Sequence, residues 1–362
     1  MKLNKPVTQA DIAKRVGVSQ RAVASVVGKG SARIGVSAET REKILAVARE
    51  LGYRPHRGAQ LMTGAASGMI GLVKSVTELQ HAQLKYLHLG EAVARRGYKL
   101  ISIDVLWNYS GLEEGLSFLS DMRVEGLFVG GSSSTVGNHP LIHEFTRNEV
   151  PVVHFDVSER SLEPGVHSVV ADNAQGMREL VEQLLARGYR RITMVQRENP
   201  THNTSLERMQ GYETAMRAAG LSPDHVAVSN ADIGGTLDTY IDMGRRGMET
   251  LLTRSRLPEV VCFGNDLYAM GALACCARHG ISVPGEVNIT GFDNNSFGAQ
   301  HYPSLSSVEQ PIREIAESSA DLMAGLIRGE LDRNANHYRR HPCRVHLCGT
   351  TAPAPSLSRT AS

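Results

Sequence analysis

The sequence predicts an all-α helix-turn-helix head joined to an α/β body, the body made of two doubly wound parallel-sheet lobes. Three observations carry this expectation. The first sixty residues hold three short helical patterns, each opened by a hydroxyl side chain. From Met69 onward, short apolar runs alternate with amphipathic helices, the pattern of βαβ units. Charge is also divided: residues 1–60 carry 12 Lys/Arg against 4 Asp/Glu, and the other 302 carry 27 against 33, so the net +2 hides a head of +8 and a body of −6. A basic head on an acidic body points to a polyanionic partner for the head alone.

The head reads in order. Thr8-Gln9-Ala10-Asp11 fits a capping box. Ile12, Ala13 and Val16 follow as the inward face of a first helix that Gly17 stops. Ser19 caps a second helix with Ala22, Val23, Val26 and Val27 inward, which leaves Gln20, Arg21, Ala24 and Ser25 outside the apolar stripe. A recognition helix presents such N-terminal side chains to base edges, Arg bidentate to guanine and Gln to adenine. An ordinary helical bundle with a Gly-Val-Ser turn is the alternative. Ser37 caps a third helix with Ile44, Leu45, Ala48 and Leu51 inward, ended by Gly52. After Tyr53-Arg54-Pro55, the stretch HRGAQLMTGAASG reads as a linker.

In the body, MIGLV, KLISIDV, GLFVGG and PVVHFD read as buried parallel strands, followed by a second series of SVVAD, RITMV, VAVSN, VVCFG and VNITGFD. The helix–Gly–strand joint RRGYKL returns as RGYRRI, which suggests two similar lobes. Ligands of such sheets sit at the carboxyl ends of the strands. There Asp156 ends PVVHFD, Asn265 follows VVCFG, Asp293 ends VNITGFD, Arg208 opens the helix containing ERMQGY, and Gln310 lies in SSVEQP. These groups suit a hydroxyl-rich or heteroaromatic ligand. Each could instead cap a helix or join the lobes.

Several classes are excluded or disfavoured. The glycine-rich VGGSSSTVG has neither dinucleotide spacing nor a P-loop Lys, and reads as a strand-end loop. The sequence shows no catalytic constellation, no metal-ligand cluster and no cofactor motif, so neither enzyme nor metalloprotein is expected. The five cysteines lack C-x-x-C spacing and read as reduced thiols, with Cys275 and Cys276 packed on a helix. No leader and no membrane-spanning run is visible, which points to the cytoplasm.

The segments VTQADIAKRVGVS (7–19), VSAETREKIL (36–45), ELGYRP (50–55) and IGLV (70–73) resemble the lactose/galactose repressor (LacI/GalR) family of bacterial regulators, and the likeness covers nearly the whole chain. The resemblance implies that Gln20, Arg21 and Ser25 read the major groove, while Thr8, Ser19, Ser37, Thr40 and Tyr53 hold phosphates. It implies that residues 55–67 form a hinge that folds on DNA and drives an apolar wedge, Met62 or next Leu61, into the minor groove. It also implies a periplasmic-binding-protein-like body clasping a small-molecule effector, a sugar or related metabolite, at Asp156, Arg208, Asn265, Asp293 and Gln310. The expected organisation is a DNA-binding head over 1–54, the hinge, a body over 68–351 and a disordered tail over 352–362. Lobe 1 takes about 68–159 plus 292–320, and lobe 2 about 160–291 plus 321–351.

Together these describe a homodimeric, sequence-specific transcriptional regulator, most often a repressor in the family, whose affinity for double-stranded operator DNA the effector controls. The dimer surface is expected on the helices His81–Arg96 and Asp266–Arg278. The alternative is a solute-binding receptor without a DNA role; the basic head and the absence of a leader argue against it. Four departures from the family pattern stand out. Ala24-Ser25 replaces a usual Ser-Arg. The loop from Lys29 to Gly35 is about three residues long in excess, adding either a backbone contact through Lys29 and Arg33 or only slack. The hinge is one residue short and contains Gly58. Finally, His81-Ala82-Gln83-Leu84 and Ile233 stand where aromatic platforms are common, leaving Trp107 or Tyr109 as substitutes and weakening the case for a common sugar.

Overall fold

A computed structural model describes residues 7–27, 35–54, 66–75, 78–105, 111–130, 140–156, 166–198, 203–229 and 237–352. The chain divides into two units, Met1–Gly68 and Met69–Ser362.

The head consists of α1 (Gln9–Val16), α2 (Gln20–Val27) and α3 (Ala38–Glu50). Its caps are local and follow from residue type. The Asp11 N–H donates to Thr8 Oγ1 at 3.3 Å, and the Thr8 N–H donates to Asp11 Oδ2 at 2.8 Å, completing the capping box. Gly17 closes α1 at φ 79°, a conformation that costs an L side chain energy and glycine little. Ile12, Val23 and Ile44 are fully buried where the three helices meet. Leu45, expected inward, is 37% exposed. The inner stripe of α3 is Ile44, Val47, Ala48 and Leu51, at i, i+3, i+4 and i+7, and Leu45 lies about 100° around the helix from Ile44.

The body is α/β, as the pattern of apolar runs predicts. Its first lobe is a six-stranded parallel sheet in the order β11-β5-β4-β3-β1-β2. These strands are β1 (Met69–Ser75), β2 (Lys99–Val105), β3 (Gly126–Gly130), β4 (Val152–Phe155), β5 (Val166–Asp172) and β11 (Tyr338–Pro342). On one face lie α4 (Gln80–Arg95) and α12 (Ile312–Arg328), packed on each other and on Phe128, Val153 and Phe155. On the other lie α5 (Leu112–Asp121) and α6 (Pro140–Arg147).

The second lobe is a four-stranded parallel sheet, β7-β6-β8-β9, of β6 (Ile192–Arg197), β7 (Asp224–Val228), β8 (Val260–Phe263) and β9 (Asn288–Thr290). Helices α7 (Asn173–Ala186) and α8 (Asn203–Ala218) share a core with Ile192, Met194 and Cys262. Helices α9 (Leu237–Leu252) and α10 (Asp266–Arg278) share another with Val195, Val261 and Phe263. A Cβ on Gly244 would stand 1.8 Å from the Tyr268 carbonyl oxygen, and one on Gly271 1.9 Å from that of Ile241, so the absent side chains let α9 and α10 touch backbone to backbone. That approach stacks Tyr240 on Tyr268, their ring centroids 5.6 Å apart. A short antiparallel pair, β10 (Ser307–Glu309) with β12 (Arg344–His346), follows the short helix α11 (Ser296–Ala299) and adjoins α7.

The division between lobes differs from the sequence expectation. β5 and β11, assigned above to lobe 2, both pair in the first sheet, and α12, split above at residue 320, packs as one helix against α4, β4 and β5. A buried apolar strand fits either parallel sheet, so periodicity cannot say which one it joins. Ala352, assigned above to the tail, is bonded to the body: its N–H donates to Asn288 Oδ1 at 3.0 Å and its carbonyl accepts from the Tyr189 hydroxyl. Residues 353–362 and hinge residues 55–65 lie outside the described residues. Among the described residues, no helix is long and apolar enough to cross a membrane, and no His, Cys, Asp and Glu gather as a metal site.

Candidate functional site

Two sites stand out, one in each unit. In the head, the Ala22 N–H donates to Ser19 Oγ at 3.2 Å, turning the chain into α2 and leaving Ser19, Gln20 and Arg21 exposed at its N-terminal end. Ser25 is half-buried, and its hydroxyl donates back to the Ala22 carbonyl at 2.8 Å, so acceptor lone pairs are what it retains for another partner. Thr8 is exposed in its capping box; Ser37 is exposed and accepts from the Thr40 N–H at 3.2 Å, while its hydroxyl donates to Thr40 Oγ1 at 2.9 Å. Tyr53 is half-buried against the head core, its N–H bonded to the Ala48 carbonyl at 2.8 Å. Lys29, Leu61 and Met62, together with Arg33, lie outside the described residues.

In the body, the carboxyl ends of β1, β4, β6 and β8 open on a cleft of about 1080 Å³, its mouth open to solvent. All five residues singled out from the sequence, Asp156, Arg208, Asn265, Asp293 and Gln310, line it. Four of them, Asp156, Gln310, Asp293 and Arg208, form with Lys85 a chain of contacts across the lobes. Arg208 is buried on α8; its Nε donates to Asn173 Oδ1 at 3.1 Å, its Nη1 to the Gly264 carbonyl at 2.6 Å and its Nη2 to Asp293 Oδ1 at 3.1 Å. Its Cζ lies 3.8 Å from the Phe292 ring centroid, so the guanidinium is held by face and edges together. Gln310 Nε2 donates to the same Asp293 oxygen at 2.6 Å. Lys85 Nζ, buried on α4, donates to Gln310 Oε1 at 2.7 Å and also bonds Asp156.

Asn265 has a different part. It is the N-cap of α10, accepting from the Tyr268 N–H at 2.9 Å. Its side-chain oxygen is thereby committed to the helix, and the amide nitrogen is the group that remains for the cleft. Asp156 and Asp293 both hold positive φ, 61° and 103°, unfavourable backbone for a non-glycine residue and frequent at binding sites. Asp156 also keeps a buried Oδ1 without a partner among the described residues.

Sequence reasoning did not single out several polar cleft residues, His81, Lys85 and Arg197 among them. His81 lies 3.2 Å from Asp293 through Nδ1, and burial lowers its pKa below the usual imidazole range despite the Asp293 charge. The lowered pKa favours the neutral ring, which keeps one nitrogen as a donor and the other as an acceptor. Lys85 had a legible signal: it stands four residues before Leu89 and seven before Ala92, a cation inside an apolar stripe. Arg197, at the end of β6, had none. Beneath the cleft, Asp266 accepts from Ser307 Oγ and the Asn295 N–H, both at 2.6 Å. Burial first, and then the Asp293 charge, push its pKa up to about 7. Trp107, Tyr109 and Ile233 lie outside the described residues.

Both parts of the chain match known families. Residues 8–56 match the family model described as bacterial regulatory proteins, lacI family, and residues 181–351 match that of a periplasmic binding protein-like domain. The chain is 30% identical over 327 residues to the HTH-type transcriptional regulator CelR of Thermobifida fusca, covering 88% of this chain and 91% of that one. It is 28% identical over 324 residues to the HTH-type transcriptional repressor PurR of Klebsiella pneumoniae (strain 342), covering 88% and 90%. A crystal structure of the Lac repressor dimer bound to operator and the anti-inducer ONPF superposes with a TM-score of 0.78 at 23% identity, over 96% of this chain and 99% of that one.

Proposed function

The chain belongs to the LacI family of bacterial regulatory proteins, and on that premise we propose that it binds operator DNA as a transcriptional regulator whose affinity is set by a small molecule held in the body cleft. One observation supports this reading above others: Gln20 and Arg21 stand exposed at the start of α2, while five polar residues from both lobes converge on a separate cleft.

Gln20 and Arg21 read base edges in the major groove, and Ser25 adds an acceptor. Thr8, Ser19, Ser37, Thr40 and Tyr53 contact phosphates, which fixes the register of the head on the duplex. Asp293, Arg208, Gln310, Asp156 and the Asn265 amide bind the effector. Its binding changes the lobe-to-lobe chain of contacts and thereby operator affinity, a coupling of ~1–3 kcal/mol in typical cases.

The protein acts as a homodimer in the cytoplasm, in the usual role of repressor. Helix α4, with Leu84 38% and Leu87 55% exposed, supplies the dimer surface. Helix α10 contributes less than its sequence suggests, since Leu267, Tyr268, Ala272, Leu273, Cys275 and Cys276 are all buried within the lobe. The named relatives are regulators, and this reading assigns the chain no catalysis.

Gel shifts of the full chain on its own upstream DNA test the proposal. Arg21→Ala should weaken cognate binding by ~1–3 kcal/mol and relax preference at one base position. Equal affinity for upstream and random duplexes at raised salt would refute it, since nonspecific binding falls steeply with salt.

A further inference from the structure

Among the described residues, the lining of the body cleft carries one cation more than it has carboxylates. Its described lining includes three formal cations, Lys85, Arg197 and Arg208, against two carboxylates, Asp156 and Asp293. Lys85 is matched to Asp156 and Arg208 to Asp293. Arg197 has no hydrogen-bond or ion-pair partner among the described residues, and its Nε is buried. Burial raises the phenol pKa values of Tyr240 and Tyr268 and the Arg197 charge opposes it, so the guanidinium sits beside the stacked ring pair. Removing an arginine nitrogen from water without a partner is unfavourable, and in the lining of an open cleft such a group is available to a bound ligand.

The same lining holds acceptors in need of donors. Asp156 Oδ1 and Gln196 Oε1 are buried with no partner among the described residues, and the neutral His81 ring offers one acceptor nitrogen. These groups call for hydroxyls. The body as a whole is acidic, so its long-range field does not draw anions in, and selection of one must be local.

We propose that the effector is a polyhydroxylated anion, a sugar acid or sugar phosphate, whose carboxylate or phosphate is taken by Arg197 while its hydroxyls meet Asp156, Gln196, His81 and Asp293. The fork-shaped guanidinium suits either anion in bidentate fashion. One unmatched cation sets the preference at a single anionic group. This inference rests on the reading that the cleft is the effector site.

Calorimetric titration of the full chain tests it with matched series: glucose, galactose and ribose; gluconate, galacturonate and ribonate; glucose 6-phosphate, galactose 1-phosphate and ribose 5-phosphate. At least one acid or phosphate should bind about tenfold or more tightly than its neutral parent, and the arm that binds distinguishes carboxylate from phosphate. Arg197→Gln should bring that ratio close to one, and Arg197→Lys, which keeps the charge, should restore part of it; thermal melting checks that both variants fold.

Neutral parents binding as tightly as the anions, an undiminished preference in Arg197→Gln, or no binding across the panel would each overturn the assignment. The broader reading fails differently: an anion that binds equally well to Asp293→Asn and Arg208→Lys sits outside the cleft. Loss of every ligand in those two variants, with indifference to Arg197→Gln, removes only the role of Arg197.

Discussion

The head and the cleft are both polar sites, yet they are assembled over different distances along the chain. In the head, each cap joins residues three apart: Thr8 with Asp11, Ser19 with Ala22, Ser37 with Thr40. In the cleft, Lys85 meets Asp156 across 71 residues, Arg208 meets Asp293 across 85, and Lys85 meets Gln310 across 225. The head therefore uses its polar side chains to end helices and leaves its reading edge in water. The cleft pairs Lys85 with Asp156 and Arg208 with Asp293, each partner supplied by another element. A defect in the first should stay local, whereas one in the second should spread through the body.

The sharpest break of that contrast is Arg208→Leu. It leaves Asp293 buried beside a lost partner and should destabilise the body by ~3–5 kcal/mol, read as a lowered urea midpoint for body fluorescence. A loss below about 1 kcal/mol would mean that Gln310 and His81 satisfy Asp293 on their own. Gly271→Ala comes next. Its new Cβ meets the Ile241 carbonyl, so α9 and α10 must part at a cost of ~1–3 kcal/mol. Near-ultraviolet circular dichroism should report loosening of the Tyr240–Tyr268 stack, and an unaltered spectrum would show that the helices have slack.

A buried polar group that no ligand uses sharpens the comparison further. His154, in the middle of β4, is fully buried with neither ring nitrogen bonded among the described residues, and burial, followed by the His167 charge, lowers its pKa to about 4. Between the ordinary imidazole value and about 4, the unfolded chain binds a proton that the folded chain refuses, so stability falls as pH falls through that window. His154→Leu removes this loss; relative to the parent it should gain ~1–2 kcal/mol on going from neutral pH to pH 5. Asp266 titrates with the opposite sign, its raised pKa lending stability that is lost as pH rises toward about 7, but it is common to both proteins and cancels. Parallel stability curves would place a proton acceptor near His154. The smallest effect belongs to the head: Thr8→Ala should cost ~1 kcal/mol of head stability and leave the body transition where it was.

Legibility in the sequence followed the same division. Thr8, Asp11, Gly17, Ser19 and Ser37 were readable as caps because each acts on its own helical turn. Leu45 was misplaced by one position, since a thirteen-residue helix tolerates two neighbouring apolar stripes until its packing partner is known. In the body, strand-end position alone was enough to bring Asp156, Asn265 and Asp293 to one place. It could not distinguish Asn265 as a helix cap or find Arg197, which is an ordinary polar residue at a strand end until its lack of a partner among the described residues is seen.

What the residues alone determined is the kind of element each segment forms and the charge it carries: helix periodicity, caps and strand runs are short-range properties, and the +8 and −6 of the two parts are a matter of counting. Only the tertiary structure decided which sheet β5 and β11 join, which carboxylate faces which cation, and which cation is left over. Parallel strands are nearly interchangeable as sequence, and an ion pair between distant segments exists only once the chain between them has folded.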